Sequence, residues 1–248
     1  MIVKGAFEKA RMYIESRCRE SEDNPKIMKS GPCITISREA GAGADSVSEE
    51  LINYFKPLSN TCLHPWTVFD KNLIEKIIED NHLPEKLSRY FVEDKLSDIK
   101  STVNELLGIH PSSWVLINKT TNTILQLAQI GNVIIVGRGG NFITMNLKNT
   151  FHVRLIAPWE NRIKHIREIQ GVTRKEAVDF ILKEDTARNN YIKKYFNKDV
   201  TELNSYHLII NTGFMSYKKA ARVIGETVIE MYPNLFPEYV FTSRFDYV

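Results

Sequence analysis

The chain has 248 residues, enough for one substantial α/β domain with a small appendage. Hydrophobic residues make up 43% and charged residues 25%, which excludes a disordered or fibrous chain and describes an ordinary globular one. A net charge of +3 is too mild for a nucleic-acid footprint, and no apolar run reaches the ~20 residues of a membrane span.

Residues Ala6 to Arg19 read as a helix, followed by the polar linker ESEDNPKIMKSGP. CITIS is a short apolar strand, and Asp45 to Phe55 then takes helical spacing with Val47, Leu51, Ile52 and Phe55 on one face. TVFD reads as a second short strand and KNLIEKIIEDN as the helix after it. From about Pro84 to Pro111 the chain is charged and helical with weak patterning. TNTILQLAQI is a helix ending at Gly131. NVIIVG and FHVRLIA are continuous apolar runs, as expected of parallel strands covered on both faces. PWENRIKHIREIQG is a helix with proline at its start and glycine at its end. Thr173 and Glu176 form a capping box that opens a long helix toward Phe196. YHLIINTG is the last strand and SYKKAARVIGETVIEMY the last helix.

Strands alternating with helices predict an α/β domain with a mostly parallel sheet. The expected boundaries are 1–30 for the N-terminal helix and linker, 31–232 for the domain, and 233–248 for an aromatic tail. That helix or tail offers a surface for a homo-oligomer. Lys4, Glu8 and Lys9 interrupt any signal-peptide core, so a cytoplasmic setting is expected. Cys18, Cys33 and Cys62 are widely spaced and indicate neither a disulfide framework nor a zinc site.

TISREAGAGADSV carries the chemistry. Gly41 and Gly43 lie between a strand and a helix, where a phosphate loop presents backbone N–H groups and a helix N-terminus to an anion. A dinucleotide fingerprint wants a third glycine, and that position holds Ser46. The loop length favours the mononucleotide type. A βα turn without ligand is the plain alternative.

ITISREAGAGADSV, VFDKNLI, VIIVGRGGNFI, FHVRLIAPWENRIKHI, KEDTARNNYIKKYF and LIINTG follow one another in an order that resembles the cytidylate kinase-like family. That family is a branch of the P-loop nucleoside monophosphate kinases. The resemblance covers about residues 31–231 and implies a three-layer P-loop kinase fold with a mostly parallel central sheet and a helical lid. It implies a loop running from Arg38 to Ser46, with Gly41, Ala42, Gly43, Ala44, Asp45 and Ser46 around the phosphates. It further implies ATP as phosphoryl donor, and Mg²⁺ held at the Ser46 hydroxyl. Ala44 stands where the loop lysine belongs, and Asp45 follows it in place of a basic substitute.

Arg38 is the nearest cation able to replace the lysine, or it is paired to an acid such as Glu39. By resemblance Arg138 lies at the acceptor site; structurally it would cap the sheet through a salt bridge. The aspartate that follows this arginine in cytidylate kinases, and that reads the base, is Gly139 here. Asp70 suits Mg²⁺, a ribose hydroxyl or a helix N-cap. Asp185 and Arg188 fall on the implied lid, with Arg162 as a second lid arginine; arginine's planar fork suits a transferring phosphoryl group. Lys71, Lys193 and Lys194 read as surface charge, and Trp66, Trp114 and Trp159 as packing.

The expected activity is ATP-dependent phosphoryl transfer to a nucleoside monophosphate or other small acceptor, with no nucleic-acid or membrane partner. Ala44 motivates the alternative, a catalytically silent nucleotide-binding or regulatory module on the same fold.

Overall fold

The computed structural model describes residues 4–23, 30–57, 65–80, 82–89 and 114–236. Cys62, the charged stretch from residue 90 on, the Trp114 side chain and the aromatic tail from residue 237 lie outside them. Five strands form one sheet: β1 (Cys33–Arg38), β2 (Thr67–Phe69), β3 (Val133–Val136), β4 (Thr150–Ile156) and β5 (Leu208–Asn211). Their order is β2-β3-β1-β4-β5 and every pairing is parallel. The helices, in chain order, are α1 (Lys4–Asp23), α2 (Ala44–Phe55), α3 (Lys71–Glu79), α4 (Leu83–Arg89) and α5 (Trp114–Ile130). They continue with α6 (Gly140–Ile143), α7 (Trp159–Gln170), α8 (Arg174–Phe196) and α9 (Tyr217–Met231).

Strand alternation divides the core into two layers. Ile34 and Ile36 of β1, with Ile134 and Val136 of β3, face α2 and α9 and meet Val47, Leu51, Ile224 and Val228. Cys33 and the β3 residues Val133 and Ile135 face the opposite layer, where α1, α3 and α5 pack through Ile14, Ile74 and Leu127. α1 is tied into this layer at its polar edge too: the Tyr13 hydroxyl donates to the Gly131 carbonyl, and Arg17 donates to Ile130 O at 2.8 Å. A third cluster, Ala40, Ile163, Ile166, Ala177 and Ile181, joins the α7–α8 hairpin to the loop after β1. That hairpin keeps its expected signals. Gly171 ends α7 at φ 65°, and the Thr173–Glu176 capping box is formed in both directions.

β4 departs from the expectation of a strand apolar on both faces. Phe151, Val153 and Leu155 enter the α2–α9 layer, whereas Thr150, His152 and Arg154 take the other face. In register, His152 lies beside Thr35 and Arg154 beside Ser37, so β1 and β4 share a polar strip in the middle of the sheet. His152 Nδ1 and Thr35 Oγ1 are 2.8 Å apart, and the His207 ring lies 4.9 Å away.

Burial, reinforced by the His207 charge, pulls the His152 imidazole down to about 4. An unfolded histidine titrates near ~6.5. Between the two values the unfolded chain binds the extra proton, so this contribution is complete above pH ~6.5 and lost as pH falls to about 4. The loss amounts to about 3 kcal/mol. Urea melts between pH 7 and 4 should show this decline in the wild type and a shallower one in His152→Gln. Identical slopes would refute the assignment.

Candidate active site

β1, β3 and β4 end side by side, and the chain leaves β1 toward β2 on one side while β3 feeds β4 on the other. Such a switch point opens a crevice at the carboxyl ends of the strands. The β1–α2 loop fills one part of it. Gly41 (φ 82°) and Gly43 (φ 78°) adopt the left-handed conformation. A Cβ on Gly41 would lie 2.7 Å from the Arg162 carbonyl, and one on Gly43 would strike the Tyr217 ring, so both positions need glycine twice over.

No side chain caps α2. The amides of Ala44, Asp45 and Ser46 therefore leave the helix without an acceptor among the described residues, at the positive end of its dipole. This is an anion cradle of backbone groups. Asp45 is exposed, Ser46 half-buried with a hydroxyl that makes no hydrogen bond among the described residues, and Ala42 buried with its carbonyl accepting from Thr212 Oγ1 at 3.0 Å. Ala44 packs with Val47 and Leu51 in the apolar layer, where it can carry no charge.

The loop is clamped from the hairpin. Asp185 of α8 accepts the Ala40 amide at 2.7 Å, and Arg162 of α7 donates its Nε–H to the Ala40 carbonyl at 2.7 Å. Arg162 also pairs with Asp185 and lies 3.6 Å from Glu39. Its guanidinium, 8% exposed, is occupied by the loop backbone and two carboxylates. Trp159, a presumed packing residue, lies over this guanidinium at 5.3 Å.

Beside the loop lies a cavity of about 360 Å³. Arg38, Lys71, Arg138, Arg154 and Arg188 all reach its wall, together with Glu39, Glu184 and Asp185. Arg138 (φ 54°) sits between Gly137 and Gly139, both at positive φ, in the tight turn after β3. It pairs with Glu75 of α3 and lies 5.2 Å from the Tyr191 ring. Arg188 pairs with Glu184 at 2.9 Å and Asp185 at 3.2 Å. Asp70 caps α3, accepting the Leu73 amide at 2.7 Å.

Arg38 is the cation nearest the loop in sequence, and it too reaches the cavity wall. Its guanidinium lies against Gly137, in a space that a Cβ there would occupy. It makes no hydrogen bond or ion pair among the described residues. Burial, then the nearby Arg188 charge, pulls it down to about 10, while Asp45, Glu184 and Asp70 act the other way. It stays charged at neutral pH, on the cavity wall and within reach of the loop's field.

The structure thus joins Arg38, Arg138, Asp185 and Arg188 around one cavity, puts Arg162 behind the loop, and gives Asp70 a capping contact. Arg154 and Asn141 also line the cavity and went unselected. The signal for Arg154 was available: a guanidinium inside a central parallel strand demands a partner. Lys71, read as surface charge, reaches the cavity wall as well.

A parallel α/β sheet with open backbone amides after its first strand and a cation-rich cavity beside it is the arrangement of a P-loop-type fold. The model of the Cytidylate kinase-like family matches residues 33–213, and the chain belongs to that family. A cytidylate kinase from Ignicoccus hospitalis is 29% identical over 106 residues, covering 43% of this chain and 61% of that one. One from Thermoplasma acidophilum is 25% identical over 123 residues, covering 49% and 64%. A protein named uronate isomerase from Corynebacterium glutamicum is 27% identical over 115 residues, 46% of this chain and 22% of that one. The matches thus span less than two thirds of each of these relatives. An uncharacterized protein from Eubacterium ventriosum shares the fold, with TM-score 0.64, 19% identity, and coverage of 81% of this chain and 99% of that one. The membership and the fold support a nucleotide kinase-type role. No helix among the described residues is long and apolar enough to cross a membrane.

Proposed function

We propose that the chain transfers the γ-phosphoryl group of ATP to a small acceptor held in the cavity, with Arg38 in the part usually taken by the loop lysine. The observation that carries this reading is Arg38 itself, a half-buried cation on the cavity wall without a hydrogen-bond or ion-pair partner among the described residues. The amides of Ala44, Asp45 and Ser46 hold the β and γ phosphates. The acceptor oxygen attacks the γ phosphorus, the bond to the β–γ bridging oxygen breaks, and ADP leaves. Arg38 and Arg188 offset the charge spread over the transferring group, which is most of what such catalysis requires. Arg162 and Asp185 hold the loop in register for it, and Arg138 orients the acceptor.

Among the described residues no three acidic, histidine or cysteine side chains converge on a metal-binding point. The residues present fit a Mg²⁺ that arrives on the triphosphate and takes one protein ligand, the Ser46 hydroxyl, as Mg²⁺ commonly does. When bound, Mg²⁺ supplies positive charge to the β and γ oxygens. Asp45, exposed beside the cradle, repels a triphosphate that carries no metal.

Steady-state ADP release from Mg-ATP, with nucleoside monophosphates and small anionic acceptors, tests the reading. Arg38→Met should lower kcat/KM by about 10–100-fold, the worth of one charge-assisted contact. Ala44, buried and uncharged, favours a second reading, a nucleotide-binding module without turnover. ATP binding with no ADP release in the presence of any acceptor would establish that module and sink the kinase.

A further inference from the structure

The polar strip of β1 and β4 forms part of the cavity wall, and its charge is unbalanced. Arg154 is 7% exposed. Its Nη1 donates to Ser37 Oγ at 3.2 Å and its guanidinium lies 5.7 Å from the Tyr206 ring. No carboxylate pairs with it among the described residues. Asp199 feels its charge but is itself exposed, with Oδ1 accepting the Thr201 amide and hydroxyl. The acids around the cavity are engaged elsewhere: Glu75 with Arg138, Glu184 with Arg188, and Glu39 and Asp185 with Arg162. A guanidinium taken from water without a counter-charge is strongly unfavourable unless a ligand completes it.

Asn141 supplies a second, independent observation. It is 5% exposed and lines the same cavity, yet its Nδ2 has no hydrogen-bond partner among the described residues. Buried amides left unpartnered are rare and point to a missing ligand. Arg38 and Arg154 both reach the wall of this cavity, and neither pairs with a carboxylate among the described residues, so two cations there lack a counter-charge.

We propose that the cavity takes a ligand with two separate anionic groups, one received by Arg38 near the loop and the other by Arg154 with Asn141. The second group is a carboxylate or a phosphate. This rests on the reading of the cavity as the acceptor site and, among nucleoside monophosphates and other small acceptors, selects small bis-anions. Glycine at position 139, which removes the base-reading carboxylate implied by the resemblance, agrees with a ligand chosen for charge.

Calorimetric titration of the full chain, without ATP, compares glycerol 3-phosphate with 3-phosphoglycerate and with glycerol 1,3-bisphosphate. The last two share a small skeleton with the first and add a carboxylate or a phosphate. At least one bis-anion should bind at least about tenfold tighter than glycerol 3-phosphate, and Arg154→Met should erase that preference. Which bis-anion is preferred identifies the second group. Equal affinities in the wild type, no binding of either bis-anion at millimolar concentration, or a preference that survives Arg154→Met would overturn the proposal. Should Arg154→Met fail to fold, Arg154→Lys keeps the charge without the planar fork; a reduced preference supports the proposal and an undiminished one overturns it. The titrations need no turnover. A bis-anion preference in a chain that releases no ADP would remove the kinase and keep the site, and activity without the preference would do the reverse.

Discussion

Arg162→Met should destabilise the protein by about 3 kcal/mol, lower its Tm by about 6–12 °C, and abolish phosphate binding at the loop. The variant keeps the side-chain volume and removes only the fork. Three groups then lose a donor or counter-charge: the carbonyl of Ala40, a residue 3% exposed, and the carboxylates of Asp185 and Glu39. Breaking a buried ion pair from one side costs about 3–5 kcal/mol, chiefly through the charge left behind. The carboxylates here are 28% and 29% exposed, so water recovers part of that and the lower end applies. Loss of binding follows from geometry. Asp185 also accepts the Ala40 amide, and with Arg162 gone it can turn toward Arg188, 3.2 Å away. The loop would lose both of its anchors to the α7–α8 hairpin. Arg162→Lys keeps a charge but cannot serve Ala40 and Asp185 together, and should fall between. A thermal melt within about 2 °C of wild type, with phosphate still bound, would show that the clamp does not set the loop.

That clamp shows what the sequence could and could not disclose. β1, β3 and the α7–α8 hairpin follow from local signals: short apolar runs, glycine after a helix, and a capping box whose two members are three residues apart. The loop between β1 and α2 was legible for the same reason, since Gly41 and Gly43 express a backbone need within the loop. Arg162 binds Ala40 across 122 residues and Asp185 meets Ala40 across 145. Nothing local encodes such contacts, and a helix arginine looks the same in sequence whether it closes on ligand or braces a turn. Arg154 was hidden differently. FHVRLIA reads as an apolar run when averaged, but its alternation was present at period two, and the charge on its polar face was the clue. α5 begins at Trp114, seven residues before the expected Thr121, although Ser113, a residue type that favours helix starts, precedes it in the sequence. α6, four residues long and starting at the second glycine of a pair, is too short for any periodicity to register.

Gly139→Asp restores the carboxylate that the family resemblance associates with reading a cytosine, and should fail as a restoration. We expect a loss of about 2–5 kcal/mol and no gained preference for cytidylate over uridylate. Gly139 has φ 71°, where a side chain costs about 1–2 kcal/mol, although aspartate tolerates it better than most. The space is closed as well. A Cβ would lie 2.7 Å from Phe196 Cε2 and 3.1 Å from Ile192 Cδ1. Phe196 is held against Phe142 at 6.2 Å and belongs to the core layer under α8, so it cannot swing away without opening that layer. Overpacking of this kind costs about 1–3 kcal/mol. A carboxylate forced against two apolar side chains is also desolvated, which favours its protonated form and weakens it as a reader of an amino group. Gly139→Ala separates the effects, since it carries the backbone strain and the Cβ collision without the charge. If Gly139→Asp melts within about 2 °C of wild type and prefers cytidylate by tenfold, the apolar wall is adjustable and the cavity remains a base pocket. If it is destabilised like Gly139→Ala and gains nothing, α8 has repacked around the glycine, and selectivity must come from the cations across the cavity.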